Sequence, residues 1–421
     1  MFPIVTPTYR PEANNPKFDR RGFLTAAGAW TLAAIAAGRL GVARAAAQTA
    51  TLPFANGERD LVAYPQKRPL IRLTSRPPQL ETPFSVFNDG LITPNDAFYV
   101  RYHLSGVPTA ITPESYRIRI HGLVTTPLEL SLDDLRRMDD PVDMVAVNQC
   151  SGNSRGFFSP RVPGGQLGNG AMGNARWTGI PLKTVLKKAG VLAAARQVTF
   201  RGLDTAPLEA TPPFIKALDL DHAADGEVMI AYAMNGDSLP MLNGFPVRLV
   251  VPGCYGTYWV KHLSEIEVVG DVFNGFWMAT AYRVPDNPGH CIETGQTGVK
   301  TIPISRLNVR SFITSLTDAA IVPAGIETQV RGIAFDGGEG IREVLFSEDG
   351  GRAWRQATLG ADIGRYSFRE WTIDFTPPAP GDYPLQVRAV NRVGETQPMK
   401  ALWNASGYMR NGVETLRVRA A

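Results

Sequence analysis

The chain has 421 residues, a net charge of +4, 44% hydrophobic and 19% charged residues, 41 glycines, 33 prolines and three cysteines. This composition excludes a disordered or fibrous chain, and three cysteines are too few for a disulfide-built scaffold. Residues 1–45 hold six basic and two acidic residues and the remainder is neutral, so no nucleic-acid partner is expected.

Asp19-Arg20-Arg21-Gly22-Phe23-Leu24 opens a small, apolar run at 25–38, which Ala43-Arg44-Ala45 follows. A charged stretch, a weakly hydrophobic segment and an A-x-A site make a leader. The arginine pair is similar to a twin-arginine export signal, which carries folded, often cofactor-loaded proteins to the bacterial periplasm. The run is rich in Ala and Gly and shorter than the about 20 residues a bilayer needs. No other segment is apolar enough, so no membrane span is expected.

From 46 to 304 the pattern mixes strands and short helices. Strands are predicted at 115–121, 142–148, 197–200 and 246–251, and helices at 132–138 and 181–188. From 305 to 421 it becomes alternating strands at 327–335, 342–347, 369–375 and 383–391. Asp336-Gly337-Gly338, Asp349-Gly350-Gly351 and the 377–381 segment separate them as turns. The expected fold class is α+β: a mixed domain at 46–304, then an immunoglobulin-like β-sandwich at 305–421.

Cys150 follows an apolar strand in Asn148-Gln149-Cys150-Ser151-Gly152-Asn153-Ser154-Arg155. A strand end leading into a Gly/Asn/Ser loop is where functional groups are presented, and an arginine five residues on favours a thiolate. Two accounts of the odd cysteine count remain open: a metal-held thiolate, or a Cys254–Cys291 bridge that leaves Cys150 alone. The five histidines form no zinc pattern, and no haem-attachment motif is present. His121 and His222 read as solvated or packed. Gly168-Asn169-Gly170-Ala171-Met172-Gly173 fits G-x-G-x-x-G but follows no apolar strand, so it reads as a packed loop near Cys150 rather than a dinucleotide site. Arg101 lies in an aromatic run, Arg248 precedes an apolar triplet, and Lys261 repeats the theme. Charges in such settings need partners. Several half-buried cations and one thiol suggest an anionic cofactor.

These residues, with Asn174-Ala175-Arg176-Trp177-Thr178-Gly179, Gly202-Leu203-Asp204, Val251-Pro252-Gly253 and the Ser-x-Asp-Gly-Gly core of 344–354, resemble the sulfite oxidase family of molybdenum-cofactor enzymes over 80–421. Within it the chain looks most like the molybdenum subunits of bacterial periplasmic sulfite dehydrogenases, which pass electrons to cytochrome c. The resemblance implies a molybdopterin-binding catalytic domain and a dimerisation domain. It implies that Cys150 ligates molybdenum, a soft thiolate beside the soft dithiolene of the pterin. It places Tyr99, Arg101, His103, Asp204, Asn243, Arg248, Trp259 and Lys261 on the pterin and its phosphate. Tyr282 matches the active-site tyrosine, and Arg101 and Arg155 match arginines near the sulfite pocket. There are two departures: animal members carry His where Asn243 stands, and an arginine after Trp-Asn where Ala405 follows Trp403-Asn404. Arg410 is the nearest basic residue there. The implied reaction is oxidation of sulfite to sulfate with a c-type cytochrome as acceptor or subunit, in a homodimer or a heterodimer with the cytochrome. The alternatives are a sulfoxide reductase and a dehydrogenase of carrier-bound sulfur.

Overall fold

The computed structural model describes residues 48–53 and 56–421; the leader expected at 1–45 lies outside the described residues. Residues 48–421 form one compact unit. An N-terminal antiparallel sheet runs in sequence order through Thr49–Thr51, Glu58–Val62, Leu70–Ser75, Pro78–Glu81 and Val100–Arg101. A second sheet carries, in spatial order, Ile215–Asp219, Gln197–Gly202, Leu263–Val269, Ile118–Gly122 and Leu128–Leu130. A third pairs Asp237–Ser238, Met229–Met234, Met172–Pro181 and Val142–Gln149, with Arg248–Val250 also on Met229–Met234. Side chains from the second and third sheets share one large core that includes Ile118, Trp177, Phe200, Ile230 and Trp259.

The α+β expectation is narrowed here: among the described residues sheet dominates and helices are few and short. Among the described residues the longest helix is the eight-residue Leu182–Ala189, and Leu132–Arg136 has five residues. Both fall where the sequence predicted helix. Ser131 and Asp134 cap each other's backbone N–H groups at the start of one, and Gly190, with φ 70°, ends the other. The frequent Gly and Pro stop longer helical runs from propagating. No described helix is long and apolar enough to cross a membrane.

Beyond residue 305, two sheets face each other. One is Arg310–Ile313, Thr328–Phe335, Arg369–Phe375 and Thr358–Leu359; the other is Ile321–Val322, Thr415–Ala420, Gly381–Asn391, Ile341–Ser347 and Arg355–Gln356. Their inner faces supply Val330, Trp371 and Phe375 on one side and Val344, Phe346 and Leu385 on the other. Alternation of buried and exposed residues makes this part legible in sequence. The likeness to an immunoglobulin domain extends to this two-sheet architecture. A further cluster joins Val147, Met172, Tyr255 and Tyr282 to Phe312, Phe335, Phe368 and Met409, so the sandwich packs directly behind the Cys150 strand.

Candidate active site

The strand Val142–Gln149 ends at Cys150, whose N–H donates to the carbonyl of Ala171 at 2.9 Å. The chain then turns back: Asn153 N–H reaches the Cys150 carbonyl at 2.9 Å, and the Asn153 side chain accepts from Ala171 N–H at 3.0 Å. The glycine-rich stretch 168–173 backs this turn as a packed loop. A Cβ on Gly170 would lie 2.1 Å from the Thr82 carbonyl oxygen, so only glycine fits.

Cys150 opens onto a narrow, partly open cavity. Tyr99, Arg101, His103, Asp204, Asn243, Arg248, Trp259, Lys261 and Tyr282 all line it. The sequence had singled out each of them. Arg248 is 4% exposed; its guanidinium donates to the carbonyls of Asn243 (3.0 Å) and Trp259 (3.1 Å) and lies 5.1 Å from the Trp177 ring. Burial lowers its pKa to about 10, which leaves it charged at neutral pH. Lys261 donates to the Leu242 carbonyl at 3.1 Å and sits 3.4 Å over the Tyr102 ring. Burial, then Arg248, hold its pKa well below the ordinary amine range. Asp204 is raised to about 6 by burial, against the pull of Lys261.

Tyr282 occupies a left-handed backbone conformation, φ 57°. Its hydroxyl and His103 Nε2 share a 2.6 Å hydrogen bond, and the His103 ring stacks on Phe214 at 3.8 Å. Burial pushes the Tyr282 hydroxyl up, and burial with Arg101 pushes His103 well down. The pair is therefore neutral at physiological pH. Tyr99 donates to the Asn148 side chain, and Asn243 Nδ2 donates to the Tyr99 carbonyl at 3.0 Å.

Arg155 does not line the cavity. Its guanidinium lies 4.8 Å over the ring of Tyr408, which stacks on Tyr282 at 5.3 Å. Close approach of Gly152, Gly164 and Gly407 makes room for it. Arg410 is committed elsewhere: Glu414 holds it at 2.6 Å, and its guanidinium lies near the Phe157 and Phe158 rings. The 403–410 segment thus presents Tyr408, not a cation, to Tyr282. Cys254 and Cys291 are both free, so the bridge is not formed. Cys254 is buried and its thiol is pushed up to about 12, which makes it inert.

Four buried polar atoms of the lining lack a partner: Asn148 Nδ2, Ser151 Oγ, Thr257 Oγ1 and Arg248 Nε. Gly256 has no Cβ, and one there would stand 2.6 Å from Asn148 Oδ1 and 2.9 Å from the Tyr99 hydroxyl. Unpaired buried donors are costly unless a ligand answers them. Among the described residues no cluster of three or more His, Cys, Asp or Glu could hold a metal. Cys150 must therefore share any metal with donors that a cofactor brings. Asn148, Ser151, Thr257 and Gly256 carried no sequence signal of their own beyond lying in or near quoted motifs.

A thiol, two arginines, a buried lysine and orphaned donors around one cavity make a site built to receive an anionic ligand. Residues 103–277 match the family described as oxidoreductase molybdopterin binding domain, and residues 301–419 the Mo-co oxidoreductase dimerisation domain. The chain is 35% identical to sulfite oxidase of Gallus gallus over 365 residues, 82% of this chain and 77% of that one. It is 29% identical to sulfite oxidase of Arabidopsis thaliana, over 87% of this chain and 98% of that one. The structure of the sulfane dehydrogenase SoxCD from Paracoccus pantotrophus superposes with a TM-score of 0.71 at 25% identity, covering 82% of this chain and 85% of that one. The chain belongs to the sulfite oxidase family. It is a molybdenum-dependent oxidoreductase, and its cofactor is molybdenum–molybdopterin.

Proposed function

We propose that the protein oxidises sulfite to sulfate in the bacterial periplasm and passes two electrons, one at a time, to a c-type cytochrome. The observation that carries this reading is the placement of Arg101 and the neutral Tyr282–His103 pair on the same cavity as Cys150. The orphaned donors fit the cofactor. Cys150 would ligate the metal; Arg248 and Lys261 would answer the pterin's phosphate; Asn148, Ser151 and Thr257 would donate to its heteroatoms. When bound, the group supplies oxygen-atom exchange coupled to two-electron redox change.

The chain's own residues bind and orient. Arg101 offers a fixed guanidinium to a small oxyanion and its doubly charged product. Tyr282 holds a proton at its hydroxyl, because its raised pKa keeps it protonated at working pH, and neutral His103 fixes the direction of that hydroxyl. Phe214 stacks on His103 and Tyr408 on Tyr282, which holds the two rings in place. Arg155 acts at one remove, through the Tyr408 ring. The twin-arginine motif at 19–24 supports export, and the region described as a dimerisation domain supports pairing with a second copy.

A second reading, oxidation of carrier-bound sulfur, is favoured by the similarity to SoxCD and by Tyr408 standing where the segment after Trp403-Asn404 offers no cation. Sulfite-dependent reduction of cytochrome c by the molybdenum-loaded chain separates the two. A robust rate that Cys150→Ser abolishes is the expected result. Sulfite oxidation that survives Cys150→Ser would sink the site. A loaded protein inert to sulfite but active on a sulfane carrier would install the second reading.

A further inference from the structure

Gln66, Lys67 and Arg68 lie between the strands Glu58–Val62 and Leu70–Ser75, ahead of residues 103–277 that match the molybdopterin-binding family. Gln66 and Lys67 reach across to the Met241–Asn243 turn, and Arg68 reaches Asp96. Gln66, held at φ 61°, accepts from Met241 N–H at 2.9 Å. Arg68 pairs with Asp96 at 2.7 Å. Lys67 is 7% exposed and donates to the carbonyls of Asn95 (2.5 Å) and Phe98 (2.9 Å) and to Asn243 Oδ1.

The Met241–Asn243 turn, on which Gln66 and Lys67 converge, also holds Arg248 and Lys261. The Asn243 carbonyl accepts from Arg248, and the Leu242 carbonyl accepts from Lys261. The Asn243 amide donates to the Tyr99 carbonyl on the opposite wall. Lys67 thus consumes the one acceptor of a cavity-lining amide and leaves that amide as a spacer between strap and wall.

We infer that residues 66–68 form a strap that locks the cofactor cavity, with Lys67 as the positioning residue that sets the Asn243 turn and, through it, Arg248 and Lys261. The inference rests on the molybdopterin reading of the cavity and not on the choice of sulfite. Three acceptors surround Lys67 Nζ, and only the ammonium has three N–H groups; the neutral amine has two. Burial lowers this amine to about 7, and Asp96 opposes that shift. The other charges near it are Arg68, paired with that same Asp96, and Lys261 beyond the turn. Raising the pH through neutrality therefore removes one of the three bonds and loosens the strap.

The test is release of pterin from the loaded full chain in sub-denaturing urea. It is followed by fluorescence of the freed, oxidised pterin and by molybdenum content, from about pH 6 to pH 9. Wild type is expected to release faster as pH rises. Lys67→Met releases at least about ten-fold faster than wild type at pH 6, with a flat pH profile, because a charged donor is lost. Lys67→Arg, permanently charged, slows release at pH 9 relative to Lys67→Met. Gln66→Ala, which removes one bond from an exposed residue, speeds release about two- to ten-fold and decides the matter should Lys67→Met not fold. Wild-type retention in both Gln66→Ala and Lys67→Met, or a pH-independent wild type, would overturn the strap. A wild-type chain that carries no pterin would overturn the cofactor reading and the strap with it.

Discussion

Arg248 gives the sharpest test of how the cavity is built, because its effects on the empty and loaded protein have different sizes. Replacing it with methionine strands the carbonyls of Asn243 and Trp259, at about 1–3 kcal/mol each. It also removes two ring contacts, over Trp177 and Trp259, at about 0.5–2 kcal/mol each. Against this, it relieves the burial of an ion whose charge no carboxylate of the lining contacts, a penalty of several kcal/mol. The opposing contributions are of similar size, so the cofactor-free Arg248→Met chain should unfold within about 2 kcal/mol of wild type. With the cofactor placed as proposed, the guanidinium is answered by an anion and the relief disappears. The expected loss of cofactor affinity is about 2–4 kcal/mol, or roughly 30- to 1000-fold. Thermal unfolding of the cofactor-free chain and pterin content of the loaded chain measure the two quantities. A variant that keeps its pterin but loses more than about 3 kcal/mol when empty would refute the reasoning and make Arg248 a purely structural residue.

Two further predictions follow from buried charge. Glu414 answers both Arg310, which is 1% exposed, and Arg410. Glu414→Gln leaves both guanidinium groups without their carboxylate and should cost about 3–5 kcal/mol in chemical denaturation; a loss below about 1 kcal/mol would show that the pair is not electrostatically coupled. Asp204 is raised from 3.8 to about 6, so between those values the folded chain binds more protons than the unfolded chain and stability falls as pH rises. Asp204→Asn should therefore stabilise the cofactor-free chain at pH 7 by about 1–3 kcal/mol, with the gain gone near pH 4. Equal effects at both pH values would refute that origin.

What the sequence showed and what it hid have physical reasons. Cys150 stood out at a strand end leading into a Gly/Asn/Ser loop, and Arg248 and Lys261 because a charge beside an apolar run needs a partner. The strands at 142–149 and 369–375 were legible from apolar runs and alternation. The strand Met172–Pro181 was not, because it begins inside a glycine-rich loop that masks its pattern. The two short amphipathic stretches were legible as helices at 132–136 and 182–189. Lys67 was hidden because Gln66-Lys67-Arg68 reads as a solvated turn; only the fold shows an amine under three acceptors. Tyr408 was hidden for a different reason. Its role depends on contact with Tyr282, more than a hundred residues earlier, and no local pattern records such a contact.

The turn that carries Tyr408 also fastens the loop that carries Cys150. Met409 N–H donates to the Ser151 carbonyl at 2.9 Å, and Arg310 donates to Ser154 Oγ at 2.6 Å. Both fasteners lie more than 150 residues downstream of the loop they hold. During synthesis the thiol-bearing loop therefore emerges long before its clamps, and loop closure must wait for residues 310 and 409. The order of events is built into the connectivity: the Cys150 thiol is displayed early on an unclamped loop, and residues made much later shut it. A chain shortened before residue 404 would retain Cys150 and the cations of the cavity, yet lack the turn that closes the loop beside them.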